Sequence, residues 1–92
     1  MVKMTKKVYR AWVTFTLPSS LGESVEVSGS WNDWKKEPLK VKKNGDFSIT
    51  KILKTGKSYQ FGYIVNGKEW HTDESLKCVT TEFHSENSVL EL

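Results

Sequence analysis

Residues 58–70 read Ser58-Tyr59-Gln60-Phe61-Gly62-Tyr63-Ile64-Val65-Asn66-Gly67-Lys68-Glu69-Trp70, and this stretch decides the fold class. Tyr59, Phe61, Tyr63 and Val65 alternate with Gln60, Gly62 and Ile64, the period of two expected of a strand with one buried face. Asn66-Gly67 is the pair a tight hairpin favours, because both positions take positive φ readily. The chain therefore turns there and returns through Glu69 and Trp70.

The flanking sequence repeats the pattern. Thr55-Gly56-Lys57 is a turn. Before it, Phe47, Ile49 and then Ile52 or Leu53 mark a strand whose parity slips around Lys51, which predicts a bulge. Asn44-Gly45 is a second hairpin signal. Leu39 and Val41 alternate with lysines as a short edge strand, Val25 and Val27 mark a strand that ends at Gly29, and Ala11, Val13, Phe15 and Leu17 alternate through the first strand. Towards the C-terminus a loop follows Asp73, then a short strand over residues 77–80 and a last strand over 87–92, with Leu90 and Leu92 inward. No segment holds a helical period. Seven or eight short strands with regular turns predict an all-β chain folded as an antiparallel β-sandwich. Residues 1–7 are expected to form a flexible tail and residues 8–92 a single domain.

Composition narrows the function classes. Ninety-two residues with 37% hydrophobic content can close one two-layer core. No stretch approaches the ~20 apolar residues of a membrane span. The charged N-terminus has no apolar run behind it, unlike a secretory signal. The single cysteine, Cys78, excludes an intrachain disulfide and is expected as a half-buried thiol on a late strand; a reducing, cytoplasmic setting follows. The net charge of +3 rests on lysines, with Arg10 the one arginine, interleaved with eleven acidic residues. They read as a solvated face rather than a nucleic-acid surface, where bidentate arginine is favoured.

Catalytic signatures are missing: no nucleophile elbow, no phosphate loop, no cysteine cluster. His71 and His84 fall in loops, and Asp73 and Glu74, being adjacent, point apart. The sequence predicts no enzyme, metal or cofactor. It does carry Gly29-Ser30-Trp31-Asn32-Asp33-Trp34, a loop with two tryptophans. Trp31 beside the strand end is expected to plug the sandwich. Trp34 and Trp70 are expected to show flat faces to solvent, where each removes the apolar face of a glucose ring from water at roughly 25 cal/mol per Å². Ser85, Asn87 and some of the lysines would satisfy sugar hydroxyls. Trp12, on the outward parity of its strand, is read as packed under the N-terminal tail or a loop.

Val27-Ser28-Gly29-Ser30-Trp31-Asn32-Asp33-Trp34, then Pro38-Leu39, Asn44-Gly45-Asp46-Phe47 and Tyr63-Ile64-Val65-Asn66-Gly67-Lys68-Glu69-Trp70 closely resemble the glycogen-binding module of the AMP-activated kinase β subunit. That module is similar to the N-terminal domains of isoamylase-type debranching enzymes and branching enzymes, the family 48 carbohydrate-binding modules. The resemblance covers residues 11–92. It implies an immunoglobulin-like, early-set sandwich and non-catalytic binding of α-glucan: glycogen, starch or maltooligosaccharides. It implies that Trp34 and Trp70 stack on glucose, that Phe83 takes the place of an apolar residue inserting into a cyclic maltooligosaccharide, and that Ser85 and Asn87 hydrogen-bond hydroxyls. A sugar-contacting lysine aligns with Gly62, for which Gln60 or Lys68 could substitute, and the hairpin is one residue longer before Trp70. The partners implied are an α-glucan and a glycogen-metabolising enzyme or kinase, with neither nucleic acid nor membrane. The expected dissociation constant is tens of micromolar to millimolar, roughly −4 to −6 kcal/mol. Two other readings stand beside this one: a protein-interaction domain with little sugar binding of its own, and a nucleic-acid binder stacking bases on its exposed aromatics.

Overall fold

Ten short strands, among the residues 2–81 and 85–92 that the computed structural model describes, pair into two antiparallel sheets that face each other as a sandwich. They are β1 (Val2–Lys6), β2 (Arg10–Leu17), β3 (Val25–Gly29), β4 (Lys36–Pro38), β5 (Lys40–Val41), β6 (Phe47–Lys54), β7 (Ser58–Val65), β8 (Glu69–His71), β9 (Cys78–Thr80) and β10 (Glu86–Glu91). The smaller sheet runs β1-β2-β6-β5; the larger runs β4-β3-β7-β10-β9, with β8 also paired to β7. The inward residues of both sheets form one core, centred on Phe15, Phe61 and Tyr63, whose rings meet edge to face.

The hairpins fall where the sequence puts them. Gly45 takes φ +91° in the β5–β6 turn, and Asn66 and Gly67 both take positive φ between β7 and β8. The expected single strand around Leu39 is two: β4 pairs with β3 in the larger sheet and β5 with β6 in the smaller. Buried Leu39 marks the crossing from one sheet to the other.

Four expectations are corrected. Val2–Lys6 is not a tail but an edge strand, paired in unbroken register with β2 from Val2 opposite Phe15 to Lys6 opposite Ala11. The strand count rises with it. There is no bulge in β6, which pairs with all of β2 without a slip. Lys51 instead keeps the inward parity and ion-pairs with Glu37 of β4, joining the two sheets at the rim of the core. Cys78 does lie on a late strand, but exposed.

The fourth correction concerns charge. The lysines are not evenly mixed with acids in space. All four strands of the smaller sheet lack aspartate and glutamate, while carrying Lys3, Lys6, Arg10, Lys40, Lys51 and Lys54. Lys3, Arg10, Lys40 and Lys54 share the outward parity of Trp12. The larger sheet holds Glu26, Glu37, Glu69, Glu86 and Glu91. Sequence order mixes residues that strand pairing then separates.

Candidate functional site

The loop over residues 29–34 is held in an unusual shape. After a short 3-10 turn at Ser30–Asn32, Asp33 and Trp34 both take left-handed backbone, at φ 60° and 65°. For non-glycine residues this costs roughly 1–2 kcal/mol each. Hydrogen bonds offset it: the Trp34 N–H donates to the Gly29 carbonyl at 2.9 Å, and the Ser28 hydroxyl donates to the Trp34 carbonyl at 2.8 Å. Asn32 donates to Glu37 at 3.0 Å, and the Ser30 hydroxyl accepts from the Gln60 N–H at 3.0 Å, which ties the loop to β7.

Trp31 turns inward and packs against Phe15, Tyr59 and Phe61, as expected of a plug. Its Nε1 donates to Glu37 at 3.3 Å. Burial would raise the Glu37 pKa; the hydrogen bonds from Lys51 and Trp31 and the charge of Lys51 outweigh it and hold the carboxyl below its ordinary 4.5. Trp34, three residues on, turns outward.

Trp70 reaches the same outer face from β8, where it pairs opposite Ile64. Its ring lies across Gly62, and its Nε1 donates to the Glu86 carbonyl at 2.7 Å. The two indoles stand with centroids 6.4 Å apart and planes tilted by 47°. Trp34 is 40% exposed and Trp70 39%. They form one wall of an open cleft of about 780 Å³, completed by Gln60, Val79, Thr80, Thr81, Ser85 and Asn87. Asn87 Nδ2 donates to Gln60 Oε1 at 3.1 Å, and the hydroxyls of Thr81 and Ser85 lie 2.8 Å apart.

The structure thus brings together five of the residues singled out from the sequence: Trp34, Trp70, Gln60, Ser85 and Asn87. Lys68 does not join them; it sits in the β7–β8 turn, away from the cleft lining. Phe83 lies outside the described residues. Val79, Thr80 and Thr81 were missed, because a three-residue edge strand gives too short an alternation to assign faces. The adjacent hydroxyls Thr80-Thr81, four to five residues before Ser85, were the available signal.

No charged side chain lines the cleft among the described residues. The surface offers apolar ring faces beside amide and hydroxyl groups, the complement of a neutral ligand with both C–H and O–H faces. No group of histidine, cysteine and acidic residues able to hold a metal occurs among the described residues. Asp73 serves structure: it accepts from the buried Tyr63 hydroxyl at 2.7 Å and from Ser75, and its own N–H donates to the Ser88 hydroxyl at 2.6 Å. Burial would raise its pKa, but the bonds from Ser75 and Tyr63 hold it below the ordinary 3.8. The Tyr63 hydroxyl is pushed up, by burial first and then by Asp73.

Two comparisons bear on this surface. The regulatory subunit beta-2 of an SNF1-related protein kinase from Arabidopsis thaliana is 36% identical over 53 residues, which take in 58% of this chain and 18% of that subunit. The chain therefore matches less than a fifth of the relative's length. A family model described as the glycogen recognition site of AMP-activated protein kinase matches residues 12–92, from Trp12 in β2 onwards, and by that match the chain belongs to this family of glycogen-recognition modules.

Proposed function

We propose that the protein binds α-glucan chains non-catalytically, with Trp34 and Trp70 stacking on successive glucose units and Asn87, Gln60, Ser85 and Thr81 meeting their hydroxyls. Phe83 is assigned the inserting apolar role that the resemblance gives it. The observation that carries this reading is the pair of half-exposed indoles, 6.4 Å apart and tilted by 47°, over a cleft with no charged lining among the described residues. A tilted pair follows a curved chain better than a flat ribbon. The lack of lysine and arginine among the described lining residues argues against a nucleic-acid ligand, whose phosphates call for such groups at the site. Binding is weak, because an open cleft leaves much of the sugar solvated.

The module's role is targeting, in the cytoplasm, of a kinase or glycogen-metabolising partner to polysaccharide, since the relative is named as a kinase regulatory subunit. The two-sheet sandwich, β1 included, acts as the binding unit. The test is intrinsic tryptophan fluorescence during titration with maltoheptaose or β-cyclodextrin. Saturable quenching, lost in Trp34→Ala and Trp70→Ala with folding retained, is the expected result. A flat response up to millimolar sugar from folded protein refutes it.

A further inference from the structure

Gly62 stands at a junction in the larger sheet. On one side β7 pairs with β3, where Gly62 is opposite Ser28. On the other, β10 pairs with Ser58 to Phe61 and β8 with Tyr63 to Val65, so Gly62 lies between the two partners. Its φ is not in the left-handed region that favours glycine. Backbone geometry therefore gives no reason for a glycine here. Space does. A Cβ at this position would fall well inside van der Waals contact of Cζ2, Cε2 and Cη2 of Trp70, the third of these at 2.6 Å. The obstruction is the ring edge itself, anchored beside the contact: Nε1, bonded to the Cε2 that the Cβ would meet, donates to the Glu86 carbonyl, so the ring cannot step aside like a flexible chain end.

We propose that Gly62 is a positioning residue for the cleft: the missing side chain is the seat of the Trp70 ring. With the ring lowered onto bare backbone, its Nε1 reaches the Glu86 carbonyl and its centroid stands 6.4 Å from that of Trp34. Any side chain at position 62 lifts the ring, breaks the Nε1 bond and opens the pair. The lowered ring and a side chain at position 62 exclude each other, so in this chain the loss of a side chain from the sheet face is the condition for a two-ring wall. This rests on the glucan reading only for its ligand; the seating itself does not depend on it.

The experiment uses Gly62→Ala, Trp70→Ala and the double variant, with two readouts. The first is the far-ultraviolet exciton couplet that two indoles at this separation and tilt produce, read without sugar. Gly62→Ala is expected to remove the couplet as Trp70→Ala does. The second is maltoheptaose affinity, expected to weaken about tenfold in Gly62→Ala, equal to about 1.4 kcal/mol. In the Trp70→Ala background the same glycine change is expected to add nothing, the signature of a residue acting through the ring. A couplet and an affinity left intact in Gly62→Ala would overturn the proposal, as would an equal loss with and without Trp70. If Gly62→Ala fails to fold, the double variant decides: folding rescued by removing the ring supports the seat, and no rescue overturns it. If the wild type binds no maltoheptaose, the glucan reading fails while the couplet still judges the seat.

Discussion

Trp12 and Trp70 expose nearly the same fraction of their surfaces, 38% and 39%, and they stand on the outer faces of opposite sheets. Threonines lie near both, but their surroundings otherwise differ. Trp12 lies across from Thr5 of β1 and Ile52 of β6, among Lys3 and Thr14, with no second ring against it among the described residues. The N-terminal segment does flank it, as a paired strand rather than a covering tail. Trp70 has Trp34 beside it, an acceptor for its indole nitrogen and a rim of amides and hydroxyls. Exposure alone therefore does not make a site. What separates the two faces is a second ring at an angle and polar groups at the depth of the first.

The comparison breaks most readily at the cleft. Trp70→Ala and Trp34→Ala should each weaken maltoheptaose binding at least tenfold, about 1.4 kcal/mol or more, by calorimetry or fluorescence. Trp12→Ala should change it by less than twofold; an equal loss at Trp12 would erase the distinction between the faces. Lys51→Ala leaves Glu37 half-buried without its cation, beneath the loop that carries Trp34. With both groups about a quarter exposed, the expected loss is about 1–2 kcal/mol in urea unfolding.

Acid should act on the same contacts. Glu37 and Asp73 both have folded pKa values below their ordinary 4.5 and 3.8, so the folded state favours their ionised forms. Their contribution is complete above the ordinary values and is lost as pH falls through the lowered ones. Unfolding free energy should be flat from neutral pH to about 5 and decline below about 4, less steeply in Glu37→Gln. Asn87→Ala, removing one amide from the rim, should weaken binding about fivefold, near 1 kcal/mol. The smallest effect is that of salt: raising it tenfold should leave sugar affinity unchanged, because a neutral sugar releases no condensed counterions, and a steep decline would contradict recognition by rings and neutral polar groups.

Much of this was legible in the chain. The alternation over residues 58–65 and the Asn66-Gly67 turn specify a half-buried strand and its hairpin locally, and the structure keeps both. Trp34, Trp70, Gln60, Ser85 and Asn87 were singled out before any of them could be seen to meet. The misses share a physical cause. Lys51 breaks the apolar parity of its own strand, and only the tertiary approach of Glu37 explains an inward lysine. β1 reads as a tail because Val2 and Met4 alone are too little apolar pattern; pairing with β2 makes it a strand. The acid-free sheet is invisible in overall counts because its strands come from separated parts of the chain, with Thr14 and Thr50 bonded across 36 positions.

That acid-free sheet has a consequence for crowded surfaces. A module settled on neutral polysaccharide with its larger sheet down turns its cationic sheet up and outward. Many copies on one particle would form a layer of like charge, and neighbours would repel over the Debye length, about 8 Å at physiological salt and about 30 Å at 0.01 M. Packing density at saturation would then depend on ionic strength while the affinity of a single copy would not.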